Sequence, residues 1–270
     1  MGLYSPFSEP IQTSTGVPTG MLLGSINGFL AVCRKFQFDS VAFTFDHGRS
    51  SYRLKIRSTY KSNRNADQVD MGPQFRDFER FLDIIKVPHI RIKAIEADDI
   101  IASLVLLYGD SEVTVITADH DMLQLVSDNV LVLKPAIGQR PEVLFDSQAV
   151  YLKYGVRPTK LPELWALSGD RGDGIDGIPG VGPVTALKMM KQFGSLSSVM
   201  AHHPKCKGYG QLVSDNYDMI SLNGLVAMNY IPDNLDFTFN KSYPDELRKF
   251  FKEFELSTLV RKFDQKTLWD

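Results

Sequence analysis

The sequence contains few cysteines and no long apolar segment. Its two cysteines, Cys33 and Cys206, stand far apart without metal-ligand spacing, so neither a cysteine-based zinc site nor a disulfide framework is indicated. The longest apolar stretch, Ile100 to Tyr108, is too short to cross a bilayer, and the amino terminus lacks a basic region followed by an apolar one. We therefore expect a protein of a reducing, cytoplasmic compartment that is neither secreted nor membrane-bound.

Two segments of the chain each carry charges of only one sign. Residues 94–133 contain eight acids and no Lys or Arg, whereas the stretch from Arg49 to Arg64 contains six basic residues and no acid. The formal net charge of -2 therefore conceals two opposed patches. Two solvated faces are an alternative interpretation of these blocks, although such faces usually mix charges of both signs.

Acidic residues recur in clusters where an apolar run ends or a helix should begin. The clusters are Asp46, Glu96-Ala97-Asp98-Asp99, Asp119-His120-Asp121 and Asp170-Arg171-Gly172-Asp173. Carboxylates brought together raise each other's pKa unless a cation lies between them, and Mg²⁺ prefers such oxygens together with phosphate. Each cluster alone could be a helix cap or a turn. In combination they predict a metal site for phosphate chemistry.

The first half of the sequence alternates between two apolar periodicities. Runs rich in β-branched residues cover 41–46, 87–92, 113–117 and 130–134, and helical patterns cover 19–35, 73–85, 97–108 and 120–126. This alternation predicts an α/β fold with a mostly parallel central sheet flanked by helices. Ligands collect at the carboxyl ends of parallel strands. We therefore expect one rim of the sheet to carry Asp46, Glu96, Asp98, Asp119 and Asp121.

Helical patterns dominate the second half, apart from an extended stretch near Leu235 to Phe239. We expect an α/β domain over residues 1–145 and a helical region over 146–270. Within the latter, Ile178-Pro-Gly-Val-Gly182 followed by Pro183 is typical of a helix-hairpin-helix motif, which binds DNA backbone through exposed amides. A plain Gly/Pro turn is the alternative. A calcium loop is excluded, because Asp170, Asp173 and Asp176 lie three apart with no bidentate Glu following.

Several motifs occur in a defined order along the chain. They are Tyr60-Lys-Ser-Asn-Arg64, Glu96-Ala-Asp-Asp99, Thr117-Ala-Asp-His-Asp121 and Leu167-Ser-Gly-Asp-Arg-Gly-Asp173, followed by Gly-Val-Gly. The set, from about Thr15 to Met228, resembles the 5′ nuclease family of flap endonucleases, phage 5′-3′ exonucleases and the nuclease domain of bacterial DNA polymerase I. The resemblance implies a structure-specific, metal-dependent 5′-3′ exonuclease or 5′-flap endonuclease. It would hydrolyse DNA during replication or repair in a bacterial or phage-infected cytoplasm.

The resemblance also implies two Mg²⁺ or Mn²⁺ ions and their ligands. Asp46, Glu96 and Asp98 match the first site. The second site is matched by Asp119, Asp121, Asp170 and Asp173, with Asp119 between the two ions. Asp99 is expected to support the helix start. Lys61 and Arg64 match catalytic basic residues near the scissile phosphate, where fixed positive charge stabilises developing negative charge.

The resemblance further implies how DNA is bound. Residues of about 47–92 resemble the family's helical arch, through which a single-stranded 5′ end passes. In this segment Arg49 and Arg53 are expected to contact DNA, and Tyr60 either stacks on a base or packs inside the protein. The hairpin residues expected to contact DNA, with K⁺ bridging to phosphate, are Ile178, Gly180, Val181 and Gly182. The expected partner of this monomer is DNA with a 5′ end, flap or branch, and an RNA–DNA hybrid is an open alternative.

One part of the family pattern is missing. Family members begin with an apolar strand that ends in Asp-Gly and supplies a further metal-site carboxylate. Here the only acid before Asp39 is Glu9, between Ser8 and Pro10, which is a poor substitute. A misplaced or truncated start is one explanation, and the presence of every other motif favours it. The other is a catalytically impaired DNA-structure-binding protein of the same fold.

Overall fold

The computed structural model describes residues 11–62, 71–136, 138–222, 224–231 and 240–270. The helices are α1 (Gly20–Lys35), α2 (Ser51–Ile56), α3 (Gly72–Ile84), α4 (Ala97–Tyr108), α5 (Ser147–Tyr154), α6 (Leu161–Ser168), α7 (Pro183–Phe193), α8 (Leu196–His202), α9 (Gly210–Ile220), α10 (Leu225–Met228), α11 (Asp245–Glu253) and α12 (Ser257–Asp264). The strands are β1 (Phe43–Phe45), β2 (His89–Arg91), β3 (Val113–Ile116), β4 (Val130–Lys134), β5 (Val143–Phe145), β6 (Gly169–Asp170) and β7 (Ile175–Asp176). Within the described ranges, no helix combines the length and apolar character needed to cross a bilayer.

The chain forms two compact units. Unit 1 comprises Met1–Phe43, Asp67–Ile90 and Pro232–Asp270. Unit 2 comprises Thr44–Ala66 and Arg91–Ile231. All of the metal ligands predicted from the sequence belong to unit 2.

Unit 1 is organised around aromatic side chains. Phe81 of α3 and the neighbours Phe250 and Phe251 of α11 are almost fully buried. The first amides of a helix have no partner inside it. At the start of α1, the amide of Met21 donates to Oε1 of buried Gln74 at 2.9 Å. Gln74 therefore satisfies a donor that would otherwise be buried without a partner.

Unit 2 contains a small mixed sheet. Strand β3 pairs in parallel with β4, from Val113 with Val130 to Ile116 with Leu133. Strand β5, which the sequence patterns did not predict, pairs antiparallel with β4. Among the described residues, β1 and β2 form a separate two-stranded sheet, as do β6 and β7. The α/β class and the helical C-terminal region are confirmed, with a parallel component that is smaller than the patterns suggested.

Most predicted elements begin and end within two residues of those observed. The segment 120–126 instead forms a short 3₁₀ turn, Asp121–Leu125, and α2 was not predicted. The extended stretch near Leu235 to Phe239 lies outside the described residues, as does the middle of the expected arch, 63–70. The arch over about 47–92 and the domain boundary at 145/146 therefore stay predictions.

Two glycines allow the β6-β7 turn to close. Gly169 has a φ of +77°, and a Cβ there would lie 2.3 Å from the amide nitrogen of Gly177. A Cβ on Gly177 would in turn lie 2.2 Å from the carbonyl carbon of Ser168. No side chain fits where two backbones approach this closely, so both positions require glycine. The close approach of the backbone at Gly169 and Gly177 forms the base of the turn that carries Asp170 and Asp173.

Candidate metal centre

The predicted metal ligands come from separate elements of unit 2. Asp46 follows β1, Glu96 and Asp98 open α4, Asp119 and Asp121 follow β3, and Asp170 and Asp173 lie in or after β6. The Oδ1 atom of Asp46 accepts a hydrogen bond from the amide of Ala97 at 2.8 Å. Asp46 therefore also caps α4, because it satisfies one of the amides that the first helical turn leaves without a partner.

The carboxylates are close enough to disturb one another's ionisation. Burial, together with the charges of Asp119, Asp46 and Glu96 and against a lowering effect of Lys61, raises the pKa of Asp98 to about 7. Burial, together with the charges of Asp119, Asp170, Asp173 and Asp98, raises the pKa of Asp121 to about 8. We call Asp98 with Asp46 and Glu96 the first neighbourhood and Asp121 with Asp170 and Asp173 the second; Asp119 acts on both, and Asp98 also acts on Asp121.

The oxygen atoms of the second neighbourhood suit a cation. Among the described residues, Oδ1 of Asp121 is buried without a hydrogen-bond partner. Asp119, His120 and Asp121 each offer a ligand atom, and these atoms lie within 4.8 Å of one another. Orphaned, mutually repelling carboxylate oxygens favour the binding of a divalent ion, which supplies the missing positive charge. The residues therefore fit the ions that the sequence predicts.

Lys61 and Tyr60, which follow α2 in the sequence, contact one carboxylate of each neighbourhood. Nζ of buried Lys61 lies 3.0 Å from Oε1 of Glu96 and 3.6 Å from Oδ2 of Asp173. The hydroxyl of Tyr60 donates toward Glu96 at 3.2 Å and toward Asp173 at 3.1 Å. The Tyr60 side chain is only 2% exposed, which favours packing over base stacking for its role. Arg64 lies outside the described residues.

Arg53 is a buried ion-pairing residue in α2. Its guanidinium donates to both carboxylate oxygens of Asp99 and, at 3.2 Å, to Oε2 of Glu96. Its Nε donates to the carbonyl oxygen of Met219 at 2.7 Å. With 3% exposure, Arg53 has no surface to offer to DNA. Two buried carboxylates occupy its donors, which disfavours a direct contact with DNA, and that contact stays a prediction. The other basic residue of that prediction, Arg49, is exposed.

The glycine hairpin between β7 and α7 has buried anchors and an exposed tip. Ile178 and Val181 are 2% and 3% exposed, and their amides donate within the protein to Leu167 and Ile178 carbonyls. Gly180, at a φ of +73°, and Gly182 are exposed. Nζ of Lys205 donates to the Gly180 carbonyl at 3.3 Å. Any DNA contact here therefore falls to the backbone of the glycines, with the two apolar side chains holding the hairpin in place.

A cavity connects this hairpin with the acidic residues. Its volume is about 1120 Å³. It is lined by His120 and Asp170 on the acidic side and by the 178–183 backbone and Tyr209 on the other. Asp170, alone among the predicted ligands, thus borders the same depression in unit 2 as the hairpin.

The sequence matches two family models that follow one another along the chain. The N-terminal, resolvase-like domain of 5′-3′ exonucleases matches residues 3–155. The C-terminal SAM fold of 5′-3′ exonucleases matches residues 156–247. The chain belongs to the 5′-3′ exonuclease family. The nuclease function and the enzyme class predicted from the sequence motifs are confirmed by this membership.

Individual family members show how far the similarity extends. A 5′-3′ exonuclease of Aquifex aeolicus (strain VF5) is 27% identical over 263 residues, 95% of this chain and 89% of that protein. DNA polymerase I of Mycobacterium tuberculosis (strain ATCC 25618 / H37Rv) is 33% identical over 207 residues, 76% of this chain, which spans only 23% of the polymerase. The bacteriophage T5 D15 flap endonuclease, in a pseudo-enzyme-product complex with DNA and metal ions, has a TM-score of 0.66 at 21% identity, covering 87% of this chain and 90% of that one. The last similarity shows that the fold is shared.

Two residues at the candidate metal centre, His120 and Arg53, were not predicted from the sequence to belong to it. His120 was quoted within a motif without a role, yet its Nε2 lies 3.4 Å from Oδ1 of Asp121 and 3.6 Å from Oδ2 of Asp170. Its position between two acids was the available signal. For Arg53 the sequence offered no signal, because its partners Glu96 and Asp99 lie 43 and 46 residues away.

We expect Arg53→Met to destabilise the protein strongly. The substitution keeps much of the side-chain volume but leaves Asp99 buried without its cation, which typically costs about 3–5 kcal/mol. Urea unfolding followed by circular dichroism measures the loss. The control Arg49→Met removes an exposed charge of the same basic block and should change stability by less than about 0.5 kcal/mol. Equal stabilities of the two variants would contradict the assignment of Arg53.

We expect Asp121→Asn to stabilise the metal-free protein increasingly as the pH rises. The Asp121 carboxyl has a raised pKa of about 8, so the folded wild type binds its proton more tightly than the unfolded chain does. The wild type therefore loses stability between about pH 4 and 8 through this group, whereas Asn does not ionise. Thermal unfolding in EDTA should show a stability difference that grows over that range. A constant difference, or the same trend in the exposed control Asp128→Asn, would contradict this expectation.

Proposed function

We propose that this chain hydrolyses DNA phosphodiesters at 5′ ends, flaps or branches, using two divalent ions, Mg²⁺ or Mn²⁺. The observation that carries the proposal is the clustering of Asp119, His120 and Asp121, whose ligand atoms lie within 4.8 Å of one another beside the buried, unpartnered Oδ1 of Asp121. The charge of Asp119 also acts on both Asp98 and Asp121. When bound, two such ions activate water, hold the scissile phosphate and stabilise the departing oxygen.

Each carboxylate has a role in this proposal. Asp46, Glu96 and Asp98 hold the first ion, and Asp119 contributes to both. The second ion is held by Asp119, Asp121, Asp170 and Asp173. Asp99 is not among the proposed metal ligands, because its carboxylate pairs with Arg53. Arg53 also orients Oε2 of Glu96 through a hydrogen bond of 3.2 Å.

Lys61 is the proposed source of positive charge beside the scissile phosphate. Its ammonium already lies among the carboxylates, 3.0 Å from Glu96 and 3.6 Å from Asp173. A preorganised cation in a buried site stabilises negative charge that develops on a phosphate oxygen far more than a mobile surface lysine does. Arg64 is proposed as the second such cation on the strength of the motif alone.

In this proposal the protein binds DNA mainly through its own backbone amides and not through the metal-binding carboxylates. The amides at the start of α7 have no partner inside the helix and suit a phosphate group, next to the exposed Gly180 and Gly182. Arg49 contributes an exposed charge. A K⁺ ion at the hairpin is part of the proposal, and Lys205, 3.3 Å from the Gly180 carbonyl, supplies a cation there as well. Replacing KCl by NaCl in a DNA-binding titration tests the need for K⁺.

We also propose that the protein acts as a monomer in the cytoplasm of a bacterium or of a phage-infected host. DNA is the proposed cleaved strand, and an RNA strand in an RNA–DNA hybrid is the alternative substrate. Parallel cleavage assays on the two strands separate these substrates.

A 5′-labelled flap substrate tests the proposed function directly. We expect cleavage near the junction in Mg²⁺ or Mn²⁺ and none in EDTA, with a plain duplex of the same sequence as the control. Binding without cleavage at every metal concentration would favour a DNA-structure-binding protein instead. That second candidate has one observation in its favour, because both carboxylate oxygens of Glu96 are engaged by Lys61, Tyr60 and Arg53.

A further inference from the structure

His120 places an imidazole in the middle of the second carboxylate group. It precedes the Asp121–Leu125 turn with helical backbone angles, φ -84° and ψ -18°. Its Nε2 lies 3.4 Å from Oδ1 of Asp121 and 3.6 Å from Oδ2 of Asp170, and its Nδ1 lies 3.8 Å from Oδ1 of Asp119. The ring contacts Trp165 edge to face, with centroids 5.1 Å apart. The indole thus holds the imidazole against the acids.

The spacing of these atoms is close to that of adjacent ligands around one ion. Ligand atoms bound at about 2.0–2.1 Å to one octahedral ion lie about 2.9 Å apart when adjacent and about 4.1 Å apart when opposite. The Asp121 and Asp170 oxygens lie 3.4 Å and 3.6 Å from Nε2 of His120, so movements of a few tenths of an ångström would bring the three atoms to the adjacent spacing.

The hydrogen-bond geometry separates a ligand from a simple counterion. An imidazolium that neutralised Asp121 would donate to its carboxylate, as the guanidinium of Arg53 donates to Asp99. Yet Oδ1 of Asp121 is buried and has no hydrogen-bond partner among the described residues, although Nε2 is only 3.4 Å away. The nitrogen and the oxygen therefore lie close together without a hydrogen bond between them, which leaves both available as ligands of a third atom.

We propose that His120 is a nitrogen ligand of the second ion and biases that ion toward Mn²⁺ over Mg²⁺. The inference rests on the proposed two-ion function and adds to it a residue that selects the metal. Mg²⁺ prefers oxygen ligands, whereas imidazole suits first-row transition metals, whose affinity for nitrogen sites is higher. One imidazole among carboxylates therefore favours Mn²⁺ without excluding Mg²⁺.

Electron spin-echo envelope modulation of the Mn²⁺-loaded protein tests the coordination itself. We expect modulation from a directly bound ¹⁴N nucleus in the wild type and its loss in His120→Gln. The control His202→Gln alters an exposed histidine of α8 and should keep the signal. Absence of ¹⁴N coupling in the wild type, or its persistence in His120→Gln, would overturn the inference. The wild-type spectrum decides even if the variant fails to fold.

Competition between the two metals tests the selectivity. Mn²⁺ affinity, measured by electron paramagnetic resonance with Mg²⁺ as competitor, should fall about tenfold in His120→Gln while Mg²⁺ affinity changes little. Equal weakening for both metals would make His120 a positioning residue and would refute the selectivity. Flap cleavage in Mg²⁺, assayed on the same preparations, separates the two proposals. Cleavage without ¹⁴N coupling refutes the role of His120 alone, whereas ¹⁴N coupling without cleavage supports that role and refutes the nuclease assignment alone.

Discussion

Asp119→Ala is expected to abolish cleavage of a 5′-flap substrate while leaving DNA affinity nearly unchanged. Asp119 is the carboxylate that acts on both Asp98 and Asp121, so its removal disturbs both proposed ion sites at once. The proposed DNA grip lies elsewhere, at the 178–182 hairpin. We expect a rate loss on the order of 10³-fold or more, the scale seen when a group needed in the transition state is removed.

The Asp119 side chain is 42% exposed, so its truncation should leave the fold intact. Single-turnover cleavage in Mg²⁺ gives the rate, and fluorescence anisotropy in EDTA gives DNA affinity without turnover. The control Asp128→Ala removes an exposed acid of the same acidic block. Wild-type turnover in Asp119→Ala would refute the bridging role, and an equal loss in Asp128→Ala would show that general negative charge is being measured.

Lys61→Ala should slow the chemical step far more than it weakens DNA binding. The ammonium is buried among carboxylates, and removing a preorganised charge from such a site typically costs about 10²–10³-fold in rate. The same substitution frees Oε1 of Glu96 from its cation. We therefore expect Mg²⁺ to bind more tightly to the variant, because the ammonium no longer competes with the ion for that oxygen.

Single-turnover rates at saturating DNA, together with Mg²⁺ titrations by calorimetry, measure both effects. Lys55→Ala is the matched control, since Lys55 belongs to the same basic block but is exposed. Equal losses of rate and DNA affinity in Lys61→Ala would make Lys61 a mere phosphate contact. Unchanged Mg²⁺ affinity would show that its contact with Glu96 does not compete with metal binding.

Much of the candidate centre could be predicted from the order of short motifs. Acids that follow predicted strands or open predicted helices, such as Asp46 and Asp98, are expected on one rim of the sheet, and the resemblance to the 5′ nuclease family divides them between two ion sites. The rim is predictable because strand ends and helix starts are visible as local patterns, and ligands gather where parallel strands end.

Contacts between distant segments were beyond the reach of that reasoning. The basic block was interpreted as a DNA-binding surface, yet Arg53 and Lys61 turn toward Glu96, Asp99 and Asp173 in the same unit. Burial requires that such charges be paired, and their pairing partners lie 35 or more residues away in the sequence. Tyr60, left between stacking and packing, joins the same buried network.

The sequence by itself determined the family, the α/β class and the identity of the carboxylates available for metal. Those follow from residue type, periodicity and motif order, all of which are local. Only the tertiary structure decided which charges neutralise one another, that the 178–182 hairpin exposes Gly180 and Gly182 while burying Ile178 and Val181, and that His120 lies beside Asp121 and Asp170. The reason is physical: desolvation and Coulomb energies depend on distances between groups, and the fold alone sets those distances.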